Sequence, residues 1–149
     1  MRRSRQLFLA VTLAVGAAAC DESISTLAGP TPDLEPTFAS IQHNIFETTD
    51  SAGRAACVNC HTNVGRNPAG GLNLLHDVAY NQLVNVVSPE KPSLTHVKPG
   101  DPSSSYLVQK LEGTPGIVGA RMPFNGPPYL TDGQIQIVRR WIELGAQNN

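Results

Sequence analysis

Cys57 and Cys60 stand three positions apart, and His61 follows directly, in the stretch CVNCH. Two thiols and an imidazole at this spacing admit four chemistries: half of a zinc site, a redox dithiol, a short disulfide, or covalent attachment of a haem. Zinc needs about four ligands, usually presented in two clusters. The chain has no cysteine after Cys60, so a Cys2His2 set would have to be completed from His43, His61, His76 and His96. A thioredoxin-like dithiol opens a helix in an α/β fold, and no alternating pattern is present to supply the strands. A Cys57–Cys60 disulfide closes a loop too small to remove much chain entropy. The haem reading uses all three residues. Two thioethers anchor one edge of the ring, and His61 becomes the proximal iron ligand.

Such an iron takes a sixth ligand. Apart from Met1, Met122 is the only methionine in the chain, and a thioether raises the potential relative to a second imidazole. It stands in RMPFNGPP, where Pro123 stiffens the loop. Arg121 beside it would either screen haem carboxylates or sit solvated at the surface. The alternative distal ligands are His43, His76 and His96; of these His96, in LTHVKPGDP, is best placed along the chain.

The N-terminus, MRRSRQLFLAVTLAVGAAACDES, has Arg2, Arg3 and Arg5 ahead of an apolar run from Leu7 to Ala19. That run is too short to span a bilayer and matches the apolar core of an export signal. Ala17, Ala18 and Ala19 lead into Cys20, resembling the lipobox of bacterial lipoproteins, in which the cysteine becomes the lipid-bearing first residue. The alternative is ordinary cleavage after Ala19, releasing a soluble periplasmic or secreted product. Both place the processed chain outside a bacterial cytoplasm, the first on the periplasmic side of a membrane. Residues 1–19 are thus expected to be a signal peptide, residues 20–36 a Pro, Ser and Thr-containing tether, and residues 37–149 one domain.

With 149 residues, 40% hydrophobic and 15% charged, the chain suffices for one modest core. Its basic residues are scattered, so no stripe offers itself to a nucleic-acid backbone. The expected architecture is all-α, with about four helices and long Gly/Pro-rich loops. Phe38, Ile41 and Ile45 predict a first helix over 38–46, and the stripe in DVAYNQLVNVV a second, capped by Asp77 and ended before Pro89. Asp101 and Pro102 signal the start of a third that stops at Gly113. Thr131 and Gln134 have capping-box spacing at the head of a fourth, whose face carries Ile135, Val138, Trp141 and Ile142, with Gly145 at its end. So small a helical core would gain stability from a large apolar cofactor.

In order, CVNCH, GGLNL, VKPGDPSSSYLVQKL, RMP and LTDGQIQIVRRWIELGA resemble the small monohaem c-type cytochromes. They are most similar to the cytochrome c-like domains of planctomycetes and related bacteria, over roughly residues 38–147. Where that family often has Met-Pro-Pro, this chain has Met122-Pro123-Phe124. The resemblance implies a cytochrome c-type fold around one covalently attached haem c, with thioethers at Cys57 and Cys60, His61 and Met122 on the iron, and the first and last helices crossing near it. It also implies single-electron transfer to redox protein partners, with membrane-associated oxidoreductases favoured by lipidation of Cys20. No enzymatic activity, small-molecule substrate or nucleic acid is expected. The competing expectations are a ligand-binding or peroxidase-like haem with a displaceable distal ligand, and a haem relay subunit of a larger membrane-associated complex.

Overall fold

The computed structural model describes residues 34–149. The expected signal peptide, Cys20 and most of the expected tether lie outside the described residues. The described part is all-α, with four helices and no strand among those residues. None of its helices is long and apolar enough to cross a membrane.

Helix α1 spans Phe38–Ile41 and runs on as a π-helical turn, Gln42–Phe46. Thr37 caps it by accepting the Ser40 N–H, and Phe38, Ile41, Ile45 and Phe46 turn inward, as their helical spacing predicts. The packed region begins earlier than Thr37. Leu34, assigned to the tether on its proline-rich surroundings, is a core residue only 6% exposed, because an apolar side chain next to a core is better buried than solvated.

Helix α2 is shorter than its apolar stripe, covering Ala79–Leu83, and Asp77 does not cap it. The expected continuation through Val87 is replaced by extended chain at Val84 and a left-handed Asn85. The β-branched residues that follow pair with the segment around His96: Asn85 N–H donates to Val97 O at 2.9 Å, and His96 N–H to Val86 O at 2.7 Å. Val84, Val86 and Val87 favour extended backbone, and the second segment supplies the partners that decide between the two patterns.

Helix α3 spans Tyr106–Glu112, four residues later than the Asp101–Pro102 signal predicts. Asp101 Oδ1 does accept the Ser104 N–H at 3.0 Å, but that cap closes a single turn. Ser105 is extended, with its hydroxyl donating to Asp101 O at 2.9 Å and accepting from Lys98 N–H at 2.9 Å. The next two amides donate outward, Tyr106 to Thr95 O and Leu107 to His96 O. Gly113 ends the helix in the left-handed region, as expected.

Helix α4, Asp132–Glu143, has the predicted capping box: Thr131 Oγ1 accepts Gln134 N–H, and Gln134 Oε1 accepts Thr131 N–H. Past its end, Gly145 at φ +98 lets Ala146 N–H reach Trp141 O and Gly145 N–H reach Ile142 O, a Schellman closure. Its inward face is the predicted one, with Ile135, Val138, Trp141 and Ile142 all buried. Trp141 packs on Phe38 of α1 with ring centroids 5.5 Å apart, and α4 also packs against α3.

Candidate functional site

The cysteine motif lies on a 3₁₀ turn, Cys57–Asn59, reached through a buried anchor. Arg54 has a fully buried side chain and donates to Asp50 Oδ2 at 3.1 Å, to Ile45 O at 3.1 Å and to Ala55 O at 3.3 Å. The end of α1 and the entry to the motif are thereby tied together, and the Cys57 thiol also donates to Ile45 O at 3.5 Å. Nothing in the sequence pattern distinguishes Arg54 from a surface arginine. Its role follows from carbonyls left free where the π-helical turn ends.

Beyond the motif the chain folds back under it. Ala69 N–H donates to Cys60 O and Leu74 N–H to His61 O, which brings the Gly70-Gly71-Leu72 segment beneath the imidazole. His61 Nδ1 is 3.2 Å from the Leu72 carbonyl oxygen. A carbonyl only accepts, so this contact places the proton on Nδ1 and leaves Nε2 with a free lone pair. Burial is the main reason the His61 pKa is lowered from its ordinary value, a shift that favours the neutral ring.

Cys57, Cys60, His61 and Met122 all line one cleft of about 460 Å³, and His96 lines it too. Its volume is in the range of small-molecule and cofactor sites. Leucines 72, 74, 107, 111 and 130 contribute apolar wall. His43 and His76 are exposed and do not line the cleft. His76 instead lies 3.6 Å from Glu47 Oε1.

Helix α3 holds the opposite wall by both ends. Its leading amides bond Thr95 O and His96 O, as above, and its trailing carbonyls receive the methionine segment: Met122 N–H donates to Lys110 O at 2.8 Å, and Arg121 Nε to Leu111 O at 2.7 Å. Arg121 is therefore turned toward the helix end and does not line the cleft. A polar cluster in the cleft escaped the sequence reading. Lys110 Nζ donates to Glu90 Oε2 at 3.3 Å and to Val118 O at 2.8 Å, and Tyr106 Oη donates to the same Glu90 oxygen at 3.3 Å. The available signal was a lysine standing between Leu107 and Leu111 on the inward stripe of a helix.

The two thiols are free. Burial pushes the Cys57 thiol up to about 11, against the opposing pull of the Arg54 cation, so it is protonated at neutral pH and unlike the low-pKa thiolate of a redox dithiol. Among the described residues no group of three or more His, Cys, Asp and Glu side chains converges to hold a metal ion. What the site offers is two free thiols, one imidazole and one thioether, all lining one largely apolar cleft.

The class these features define is an all-α domain with a cofactor-sized cleft walled by a C-x-x-C-H turn and a methionine loop. No protein-family model, curated protein or solved structure matches this chain.

Proposed function

We propose that this chain is an exported, single-haem c-type cytochrome that carries single electrons between redox protein partners, with a cytochrome c-type fold. The observation that carries the reading is the His61 imidazole: its Nδ1–H is taken by Leu72 O at 3.2 Å, and its ring lines a cleft shared with both cysteines and Met122. An imidazole whose second nitrogen is held by a backbone carbonyl is the usual form of a metal-ligating histidine.

The residues present fit a haem c. Cys57 and Cys60 would hold it through thioethers, and His61 and Met122 would bind its iron. When bound, the haem supplies a one-electron couple. The Leu72 carbonyl orients His61 and raises the basicity of its free nitrogen. The leucine walls would limit water and lower the local dielectric around the group, which together with a neutral thioether would favour its reduced state. No residue is assigned a catalytic role. Lipidation of Cys20 would hold the domain near membrane-associated oxidoreductases and raise their effective concentration. Ordinary signal cleavage would leave it soluble in the same compartment.

His96 supports a second reading, because it is only 8% exposed and lines the same cleft. In that reading it replaces Met122 on the iron, or the distal position opens to an outside ligand.

The test is expression in a host that attaches c-type haem in the periplasm, followed by haem staining after denaturation and by oxidised and reduced spectra. Haem that survives denaturation, together with a weak sulfur-to-iron charge-transfer band, is the expected result. Covalent haem without that band would favour His96 or an open position, and a protein that takes up no covalent haem would overturn the proposal.

A further inference from the structure

We propose that Arg121 is a positioning residue for Met122, clamped between the end of α3 and the Tyr129 ring so that it sets how readily an outside ligand displaces the thioether. The inference rests on the haem reading above.

The loop from Thr114 to Pro128 places no fully buried side chain in the apolar core, and its Met122 packs against that core only partly buried, so packing alone does not fix where the methionine lies. Backbone and side-chain ties do so instead. Val118 N–H donates to Tyr106 Oη at 2.9 Å, Lys110 Nζ reaches Val118 O, and Met122 N–H reaches Lys110 O. Arg121 adds the tie next to the ligand itself. Its Nε donates to Leu111 O at 2.7 Å, and its guanidinium carbon lies 4.3 Å from the Tyr129 ring centroid.

Two glycines make room for this clamp. A Cβ on Gly113 would lie 2.9 Å from Arg121 Cδ and 3.1 Å from its Cβ and Cγ, and a Cβ on Gly126 would clash with the Tyr129 ring. Among the described residues Arg121 enters no ion pair. Its charge is directed at the carbonyl end of a helix and at an aromatic face, where a cation is favoured. Both of its partners flank the methionine in sequence, Leu111 through the helix it caps and Tyr129 through the far side of the loop. The clamp therefore restrains the Met122 backbone from both directions. A thioether is a flexible, adaptable side chain, and its competitiveness as a ligand depends on how little ordering remains to be done when it binds.

Imidazole titration of the haem-loaded protein, followed optically, tests this in Arg121→Ala, Arg121→Lys and Tyr129→Leu. Arg139→Ala serves as control, because it breaks the 2.9 Å Arg139–Glu112 ion pair near the same helix end without touching the loop. Expected are retained covalent haem, a weakened sulfur-to-iron band, and imidazole affinity raised about tenfold in Arg121→Ala, the scale of one lost charge-assisted hydrogen bond. Tyr129→Leu should move the same way by less, and Arg139→Ala should leave the affinity at the parent value. Arg121→Lys keeps the charge and loses the planar stack, so it should fall between parent and alanine. Affinities within twofold of the parent in both Arg121→Ala and Tyr129→Leu, with the band intact, overturn the proposal even if Arg121→Ala is less stable. If Arg121→Ala does not fold, parent-like affinity in Arg121→Lys and Tyr129→Leu overturns it equally. A parent protein without covalent haem removes the haem reading itself and this inference with it.

Discussion

His61 Nδ1 stands 3.2 Å from the carbonyl oxygen of Leu72, a residue eleven positions along the chain. The contact gives the two nitrogens of one ring different tasks: Nδ1 is spent on the backbone, and Nε2 is left with a lone pair on a ring that lines the cleft. His61→Ala removes both. The expected outcome is that haem content per protein falls, and that any haem still attached through Cys57 and Cys60 has an altered spectrum and potential. A variant with parent spectra and potential would show that His61 is not the proximal ligand.

Met122 is held by its own amide, which donates to Lys110 O at 2.8 Å, so shortening its side chain leaves the loop anchored. Met122→Ala is expected to keep covalent haem, to lower the midpoint potential, and to bind carbon monoxide or imidazole more readily than the parent. Reduced and oxidised spectra with a redox titration check this. An unchanged spectrum would move the distal bond to His96.

Trp141 is 1% exposed, stacks toward Phe38, and donates Nε1–H to Gln147 O at 2.8 Å. Trp141→Ala should therefore cost about 3–5 kcal/mol of stability through the cavity it leaves, and it should leave Gln147 O without its donor. Denaturant unfolding measures the loss. A cost under about 1 kcal/mol would mean that the α1–α4 contact is not part of the cooperative core.

Two groups make stability fall in acid. The Lys98 ammonium 2.9 Å away is the main reason the Asp101 carboxyl is held down at about 2, with the Ser104 hydrogen bonds helping. Burial is the main reason the His96 pKa is lowered from its ordinary value. In both cases the unfolded chain takes the proton more readily, so stability rises with pH through the window between folded and unfolded pKa values. The His96 contribution is complete above about pH 6.5 and shrinks below it, whereas that of Asp101 is complete above about pH 4 and is lost toward pH 2. NMR titration of the two side chains checks the order. Lys98→Ala should return the Asp101 midpoint upward toward the ordinary carboxylate range.

Legibility differed by element. Helix α4 could be read in full, from the Thr131 capping box to the Schellman closure at Gly145, because caps, periodic face and stop signal are all local and agree. The ends of α2 and α3 could not. Val84–Val87 carry a stripe compatible with a helix, and Asp101-Pro102 carry a start signal, yet both stretches are claimed by hydrogen bonds to residues near His96 that are remote from the local pattern. Local propensity of a few tenths of a kcal/mol per residue is outweighed when a distant segment offers partners to several amides at once.

By itself the sequence determined which atoms are available for chemistry: two thiols and an imidazole in one turn, and Met122 as the only thioether beyond Met1. Composition and periodicity added an all-α frame. Tertiary structure alone decided that Leu72 O accepts the His61 Nδ1–H, that His96 shares the cleft while His43 and His76 do not, and that Arg121 turns to Leu111 and Tyr129. The placing of His96 depends on long-range backbone pairing with Val86, and the Leu72 and Leu111 contacts depend on which backbone carbonyls remain unpaired once the helices have packed, a property of the fold that no residue type announces.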